Sequence, residues 1–138
     1  MDHEGTLPST DGIDPFSCSK GHEPPKSVLS VLADLCSDDK NTVFVVSGRN
    51  KQAMHRWFAR VTKLGIGAEY GFFYRWNSEM KSEQDWEQLF EIRNWDWIEA
   101  ARGIIQNYTD RTDGSFVERK ASALVWQYRD TDPDLGLQ

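Results

Sequence analysis

The sequence predicts an α/β fold, because helix and strand patterns alternate along its first half. In the helix candidates, apolar residues recur at steps of three and four, the spacing that places them on one helix face. The strand candidates are continuous runs of β-branched and aromatic residues, which favour strands buried on both faces of a parallel sheet. This alternation is typical of α/β domains.

The first helix is predicted to begin after Glu23-Pro24-Pro25, since proline is tolerated in the first turn of a helix. Its apolar face comprises Val28, Leu29, Leu32, Leu35 and Cys36. Residues 37–39 are predicted to end this helix, and the apolar run at residues 43–46 is predicted to be a buried strand.

Ser47-Gly48-Arg49 is predicted to be a tight turn, and Asn50 is predicted to cap a second helix. The apolar residues of that helix are Met54, Trp57, Phe58 and Val61. Gly65 is predicted to end it, and residues 67–71 are predicted to lead into a second strand at residues 72–76.

Residues 77–85 are polar and are predicted to link two domains, residues 1–84 and 85–138. In the second domain a third helix is predicted from the spacing of Trp97, Ala101, Ile104, Ile105 and Tyr108. Two strands are predicted after it, at residues 115–120 and 123–128. A helix followed by paired strands indicates a separate α+β unit.

The composition excludes several classes of protein. In the 138-residue chain, 16 Lys and Arg residues against 22 Asp and Glu residues give a net charge of −6, which argues against a nucleic-acid-binding surface. No apolar run approaches the roughly 18 residues of a membrane span, and the N-terminus lacks the profile of a signal peptide. Cys18 and Cys36 have no metal-type spacing. We therefore expect a cytoplasmic protein with no nucleic-acid or membrane partner.

Two short motifs carry candidate chemistry. In Asp2-His3-Glu4-Gly5-Thr6 one carboxylate could attack while the other transfers protons, although such pairs near a terminus are more often solvated surface. Ser47-Gly48-Arg49 follows the predicted buried strand, and ligands of open α/β sheets lie at the carboxyl ends of strands. A hydroxyl and nearby amides there suit a phosphate, but an ordinary strand-to-helix turn would have the same sequence.

Three ordered segments, residues 43–49, 64–71 and 118–129, strengthen these motifs; they read VFVVSGR, LGIGAEYG and ERKASALVWQYR. Together with the acidic loop they resemble the trehalose-6-phosphate phosphatases of the haloacid dehalogenase superfamily, and most closely the phosphatase-like C-terminal region of plant-type trehalose-phosphate synthases. The resemblance implies a partial Rossmann-like phosphatase core of the haloacid dehalogenase type at residues 1–84. It also implies that residues 85–138 form most of an inserted α+β cap.

The resemblance also implies roles for the core residues. Asp2 matches the aspartate nucleophile that attacks phosphorus, and Glu4 occupies the position of the general acid and base, with a side chain one methylene longer than the family's aspartate. Mg²⁺ is expected as the cofactor, with Asp2 and Glu4 as its ligands. Thr6, Ser47 and Arg49 match positions that bind the phosphate.

The third segment predicts a sugar-phosphate site on the cap. Glu118 and Lys120 share one face of a strand, and Gln127 and Arg129 share one face of the next. If the strands pair with these faces aligned, a carboxylate and an amide can bind sugar hydroxyls while two cations bind phosphate. A solvated hairpin face with cross-strand ion pairs is the alternative.

Two functions remain open at this point. The first is hydrolysis of trehalose 6-phosphate through an aspartyl-phosphate in the intact protein, favoured by Asp2, Thr6 and Ser47. The alternative is a catalytically inactive, sugar-phosphate-sensing or regulatory domain of a trehalose-phosphate synthase, favoured by Glu4 and by Gln127, where active phosphatases usually carry His. The family's lysine and acidic metal motifs are expected to follow the cap, so we expect the isolated chain to be a poor phosphatase. A fused or associated synthase domain is the expected partner.

Overall fold

The computed structural model describes four stretches of the chain, residues 23–76, 85–91, 94–128 and 131–132. The chain divides into two compact units, Met1–Phe90 and Glu91–Gln138. The first unit extends beyond the boundary between residues 84 and 85 that composition predicts, because the short strand Glu87–Gln88 pairs with a strand of that unit. No helix in these four stretches is both long and apolar enough to cross a membrane.

The first unit is a mixed α/β unit, as predicted. Its elements are α1 (Lys26–Ser37), β1 (Phe44–Val46), α2 (Lys51–Phe58), β2 (Gly65–Ala68), β3 (Phe73–Trp76) and β4 (Glu87–Gln88). The strands form one sheet in the order β1-β2-β3-β4, in which β1 and β2 are parallel while β3 and β4 add in antiparallel pairing. The largest fully buried side chains of this unit include Leu32, Met54, Phe58, Leu64 and Ile66.

Helix α1 begins directly after Pro25, as predicted. Its buried residues are Leu32 and Cys36, one turn apart, whereas Leu35 of the predicted apolar face is 40% exposed. Burial raises the pKa of the Cys36 thiol. The loop after α1 is held by an ion pair in which Lys63 donates to Asp39, and this contact lowers the pKa of the Asp39 carboxyl.

Helix α2 has the cap that the sequence predicts. The side chain of Asn50 accepts a hydrogen bond from the amide of Ala53 at 2.9 Å, which satisfies one of the free donors of the first turn. Met54, Trp57 and Phe58 are buried, so the apolar spacing of this segment marks a packed helix face.

The prediction that Gly65 ends the second helix is wrong. Helix α2 ends at Phe58, and Gly65 begins β2, a fully buried strand that pairs in parallel with β1. The glycines of β2 are needed because aromatic rings occupy the space beside them: a Cβ atom on Gly67 would lie 3.1 Å from the Phe44 ring, and one on Gly65 would overlap that ring. Packing across the sheet therefore requires glycine at these positions of β2. The local sequence alone is typical of a loop, which is why the strand was not predicted.

The second unit contains a helix and a hairpin, as predicted. Its elements are α3 (Asp96–Thr109), β5 (Phe116–Arg119) and β6 (Leu124–Gln127), and the two strands pair in antiparallel fashion. The buried residue of α3 is Ile98, whereas three residues of its predicted apolar face are 48–61% exposed: Trp97, Ile104 and Tyr108. The helix therefore packs through a face rotated from the predicted one.

Candidate functional site

Ser47 lies at the carboxyl end of β1 and is 2% exposed. Its amide donates a hydrogen bond to the carbonyl of Gly67 at 3.0 Å, so the β1–β2 ladder continues into the turn. Its Oγ accepts a hydrogen bond from the amide of Arg49 at 3.2 Å. Because Oγ is the acceptor in that contact, the hydroxyl proton is not used in it.

The turn between β2 and β3, residues 69–72, forms backbone hydrogen bonds with the Ser47–Arg49 turn. The amide of Tyr70 donates to the carbonyl of Ser47 at 2.9 Å, and the amide of Glu69 donates to the carbonyl of Arg49 at 2.8 Å. The two turns are thus joined by paired backbone hydrogen bonds. This contact was not predicted from the sequence.

The residues of this second turn have an unusual backbone conformation. Glu69, Tyr70 and Gly71 have φ values of 49°, 62° and 88°, all in the left-handed region. A non-glycine residue in this region is strained by about 1–3 kcal/mol and persists where surrounding contacts hold it. Only Gly71 gives a sequence signal for such a turn, so Glu69 and Tyr70 could not be recognised from residue type.

The ring of Tyr70 lies directly beside Gly48. A Cβ atom on Gly48 would be 2.8 Å from Cε1 and from Cζ of that ring and 3.0 Å from its hydroxyl oxygen. Tyr70 is nevertheless 64% exposed, so one side of the ring faces solvent. The Ser47–Arg49 turn therefore has a buried hydroxyl at one end and an aromatic cover over its glycine.

Chemically, this turn is suited to an anion. It combines a serine hydroxyl and the guanidinium of half-buried Arg49 at the carboxyl end of a strand within a parallel pair. The residues expected to complete the reaction centre, Asp2, Glu4 and Thr6, lie outside the described residues. Ser47 and Arg49 are the predicted phosphate ligands that the structure describes, and it places them in one turn.

The second unit brings together three predicted sugar-phosphate ligands. The Nε2 atom of Gln127 donates a hydrogen bond to Oε2 of Glu118 at 3.2 Å, and Nζ of Lys120 lies 3.7 Å from Oε1 of the same carboxylate. The strand register explains this grouping, because Glu118 pairs with Val125 and Phe116 pairs with Gln127. Arg129, the fourth predicted member, lies outside the described residues.

We call this the hairpin face, and define it by Phe116, Glu118, Lys120, Val125 and Gln127. The opposite face of the hairpin packs on α3. There Nη1 of Arg119 donates to Oε1 of Glu99 at 3.0 Å, and the rings of Trp126 and Tyr108 lie 6.4 Å apart. The hairpin face is thus not the face that forms the core of its unit. Phe116, which is 43% exposed on this face, was missed by the sequence analysis.

Metal binding was expected at Asp2 and Glu4, which lie outside the described residues. Among the residues that the structure describes, no three His, Cys, Asp or Glu side chains are grouped as a metal site.

Comparison with known proteins identifies relatives of this chain. The trehalose-phosphatase family model matches residues 1–137. The chain is 38% identical over 136 residues to probable alpha,alpha-trehalose-phosphate synthase (UDP-forming) 7 of Arabidopsis thaliana, covering 99% of this chain and 15% of that protein. It is also 38% identical over 136 residues to the trehalose-phosphatase of Schizosaccharomyces pombe, covering 99% of this chain and 16% of that protein.

Among solved structures, the C-terminal domain of trehalose-6-phosphate phosphatase from C. albicans matches with a TM-score of 0.79 and 34% identity, covering 99% of this chain and 43% of that chain. The α/β fold implied by the resemblance is therefore confirmed. The chain spans 15–16% of the two curated relatives, so it corresponds to one part of each of them. With a family model that matches almost every residue, the chain belongs to the trehalose-phosphatase family.

Proposed function

We propose that this chain is the phosphate-binding and sugar-binding part of an enzyme that converts trehalose 6-phosphate to trehalose and phosphate. The observation that carries the proposal is the convergence of Glu118, Lys120 and Gln127 on the hairpin face. A carboxylate and an amide are suitable partners for sugar hydroxyls, and an ammonium group is a suitable partner for a phosphate.

The burial of Lys120 favours a binding role over a solvated hairpin face. Lysine side chains on solvated surfaces keep the ammonium group in water, yet the Lys120 side chain is 10% exposed. Its ammonium is 3.7 Å from a Glu118 carboxylate that is itself 44% exposed. The carboxylate is therefore within reach of the same ligand as the ammonium group, which suits a ligand with both phosphate and hydroxyl groups.

In the first unit, the Ser47–Arg49 turn is the proposed phosphate site. The hydroxyl of Ser47 and the Arg49 guanidinium would donate to phosphoryl oxygens. These donors are fixed by backbone hydrogen bonds before a ligand arrives, which lowers the cost of ordering them on binding. We propose that this unit is the N-terminal part of the phosphatase core and that the second unit forms most of the cap.

The proposed reaction uses the family's acidic loop. A carboxylate oxygen of Asp2 attacks phosphorus, and the bond from phosphorus to the sugar oxygen breaks while Glu4 donates a proton to that oxygen. Glu4 then accepts a proton from the water that attacks the aspartyl-phosphate, which releases phosphate and restores Asp2. Mg²⁺, which would be held by Asp2 and Glu4, would neutralise negative charge on the phosphoryl group.

A sensing or regulatory role is the second candidate, and two residues favour it. Glu4 is longer than the usual aspartate, and Gln127 cannot exchange a proton as a histidine can. In that case the sugar phosphate binds without turnover, in a cytoplasmic protein with a fused or associated synthase domain. The names of the plant relatives support the synthase partner.

The test measures binding and turnover on the same preparations. By calorimetry, the chain should bind trehalose 6-phosphate saturably and more tightly than trehalose. Lys120→Ala should weaken binding of the phosphate ester roughly tenfold or more, because a charge-assisted hydrogen bond contributes about 1.5–3 kcal/mol. If the unsubstituted chain releases phosphate and Asp2→Asn abolishes that release, hydrolysis is favoured. Saturable binding without phosphate release would favour sensing.

Arg111→Ala is the matched control, since Arg111 is an exposed cation of the same unit and is not on the hairpin face. It should bind the ester as the unsubstituted chain does. Equal affinity for trehalose and trehalose 6-phosphate would contradict the role of Lys120. Absence of saturable binding in any variant would contradict the proposed function as a whole.

A further inference from the structure

We infer that Tyr70 is a positioning residue for the proposed phosphate site, holding the Ser47–Arg49 turn in the conformation that receives the anion. This inference rests on the proposed function, because it concerns the same turn. It adds a residue that neither the sequence motifs nor the chemistry of phosphate binding would indicate. Tyr70 would act through Gly48 and Ser47, without itself bonding to phosphorus or its oxygens.

The first support is that Tyr70 contacts the turn twice. Its amide donates to the carbonyl of Ser47 at 2.9 Å, and its ring occupies the space that a Cβ atom of Gly48 would need, with ring atoms 2.8 Å from that position. The backbone contact holds one end of the turn, and the ring limits movement at its glycine. A glycine is the residue with most conformational freedom, so a ring beside it restricts the part of the turn that is easiest to move.

The second support is the backbone conformation of Tyr70 itself. An aromatic residue with φ of 62°, preceded by Glu69 with φ of 49°, is a strained arrangement. Such strain persists where another requirement selects it, and functional sites are common places for it. With this backbone conformation, the amide of Tyr70 points to Ser47 while its ring lies against Gly48.

The third support is exposure. The ring is 64% exposed, so it is not required to fill the core of the unit. The buried apolar side chains near this turn come from Ile66 and Phe73 on the flanking strands and from Phe72 beside Tyr70. An exposed ring on a strained backbone, placed against a glycine in an anion-binding turn, is better explained by the turn than by stability.

The test uses inorganic phosphate as the probe and the full chain as the protein, with NMR titration of the Gly48 and Arg49 amides. Tyr70→Ala should weaken phosphate binding measurably, by up to about tenfold, the usual scale for losing one ordering contact. Tyr70→Phe should bind phosphate as the unsubstituted chain does, because phenylalanine keeps the ring and removes only the hydroxyl. Tyr108→Ala, which removes a tyrosine of similar exposure from α3, is the control and should leave binding unchanged.

Gly48→Ala provides an independent way to displace the ring. Gly48 is not a left-handed residue, so alanine fits its backbone, and the three atoms nearest to the added Cβ all belong to the Tyr70 side chain. Gly48→Ala should therefore weaken phosphate binding as Tyr70→Ala does. The double variant should be no weaker than either single variant, since both act through the same contact. Additive losses would overturn the inference.

Thermal unfolding separates positioning from general stability. Tyr70→Gly removes the strain of a side chain at φ of 62°, so its unfolding midpoint should equal or exceed that of the unsubstituted chain. Its phosphate affinity should fall as in Tyr70→Ala. Loss of affinity only together with loss of the folded state would overturn the positioning role.

The outcomes also separate this inference from the proposed function. If the unsubstituted chain binds phosphate at these amides and Tyr70→Ala binds equally well, the inference fails while the phosphate site stands. If the unsubstituted chain shows no saturable change at Gly48 and Arg49, the phosphate site fails and the inference is overturned with it.

Discussion

Gly65 shows how strongly one residue position can be constrained in this fold. Phe44 and Trp76 are its neighbours on β1 and β3, and their rings meet edge to face with centroids 5.5 Å apart. A Cβ atom on Gly65 would overlap the Phe44 ring and lie 2.8 Å from the Trp76 ring. The aromatic pair and the glycine are therefore a single packing unit across three strands.

Gly65→Ala should destabilise the first unit by about 1–3 kcal/mol, because it overpacks a site enclosed by two rings. Gly103→Ala is the contrasting variant, since a Cβ atom there would meet nothing within 4 Å and alanine favours helix α3 by about 0.5–1 kcal/mol. Urea unfolding of both variants measures the difference. A Gly65→Ala chain as stable as the unsubstituted one would show that the rings move apart without cost.

Helix α2 is the element that most depends on its cap. It spans eight residues, Lys51–Phe58, and a helix of that length is marginal without tertiary packing and satisfied ends. Asn50→Ala should cost the first unit about 1 kcal/mol, whereas Asn50→Asp keeps a capping oxygen and should cost much less. Asn107→Ala, at an exposed position inside α3, should not destabilise the chain. Chemical unfolding reports all three, and equal stability of Asn50→Ala and Asn50→Asp would argue against the cap.

The elements also show which signals the sequence carries. Apolar spacing predicts α1 and α2, and a period of two predicts the grouping of Glu118 and Lys120, since both depend on local geometry. Strand β2 is not recognisable because Gly65-Ile66-Gly67-Ala68 has the composition of a loop, and the ring that requires its glycines comes from a different strand. The Tyr70 turn is hidden for a similar reason, because residue type does not reveal a left-handed tyrosine.

At the scale of the whole molecule, the buried apolar residues are unevenly distributed. Among the described residues, Ile98 is the only buried apolar residue of the second unit, and all the others belong to the first. Less apolar burial means less free energy opposing local opening. The two units are therefore expected to differ in stability.

Hydrogen exchange tests that difference directly. Amides of β5 and β6 should exchange faster than those of β1 and β2, because opening the hairpin exposes less apolar surface than opening the parallel pair. Exchange followed by NMR on one sample supplies both rates under identical conditions. Equal protection in the two sheets would mean that the units open together.

The contact between Gly48 and Tyr70 also limits how this chain can evolve. A side chain larger than hydrogen at residue 48 requires the Tyr70 ring to move away from the turn. A smaller residue at position 70 removes the collision and makes position 48 permissive. We therefore expect residue 70 to change before residue 48 where both positions differ. Relatives that carry a residue other than glycine at position 48 should therefore also carry a residue other than tyrosine at position 70.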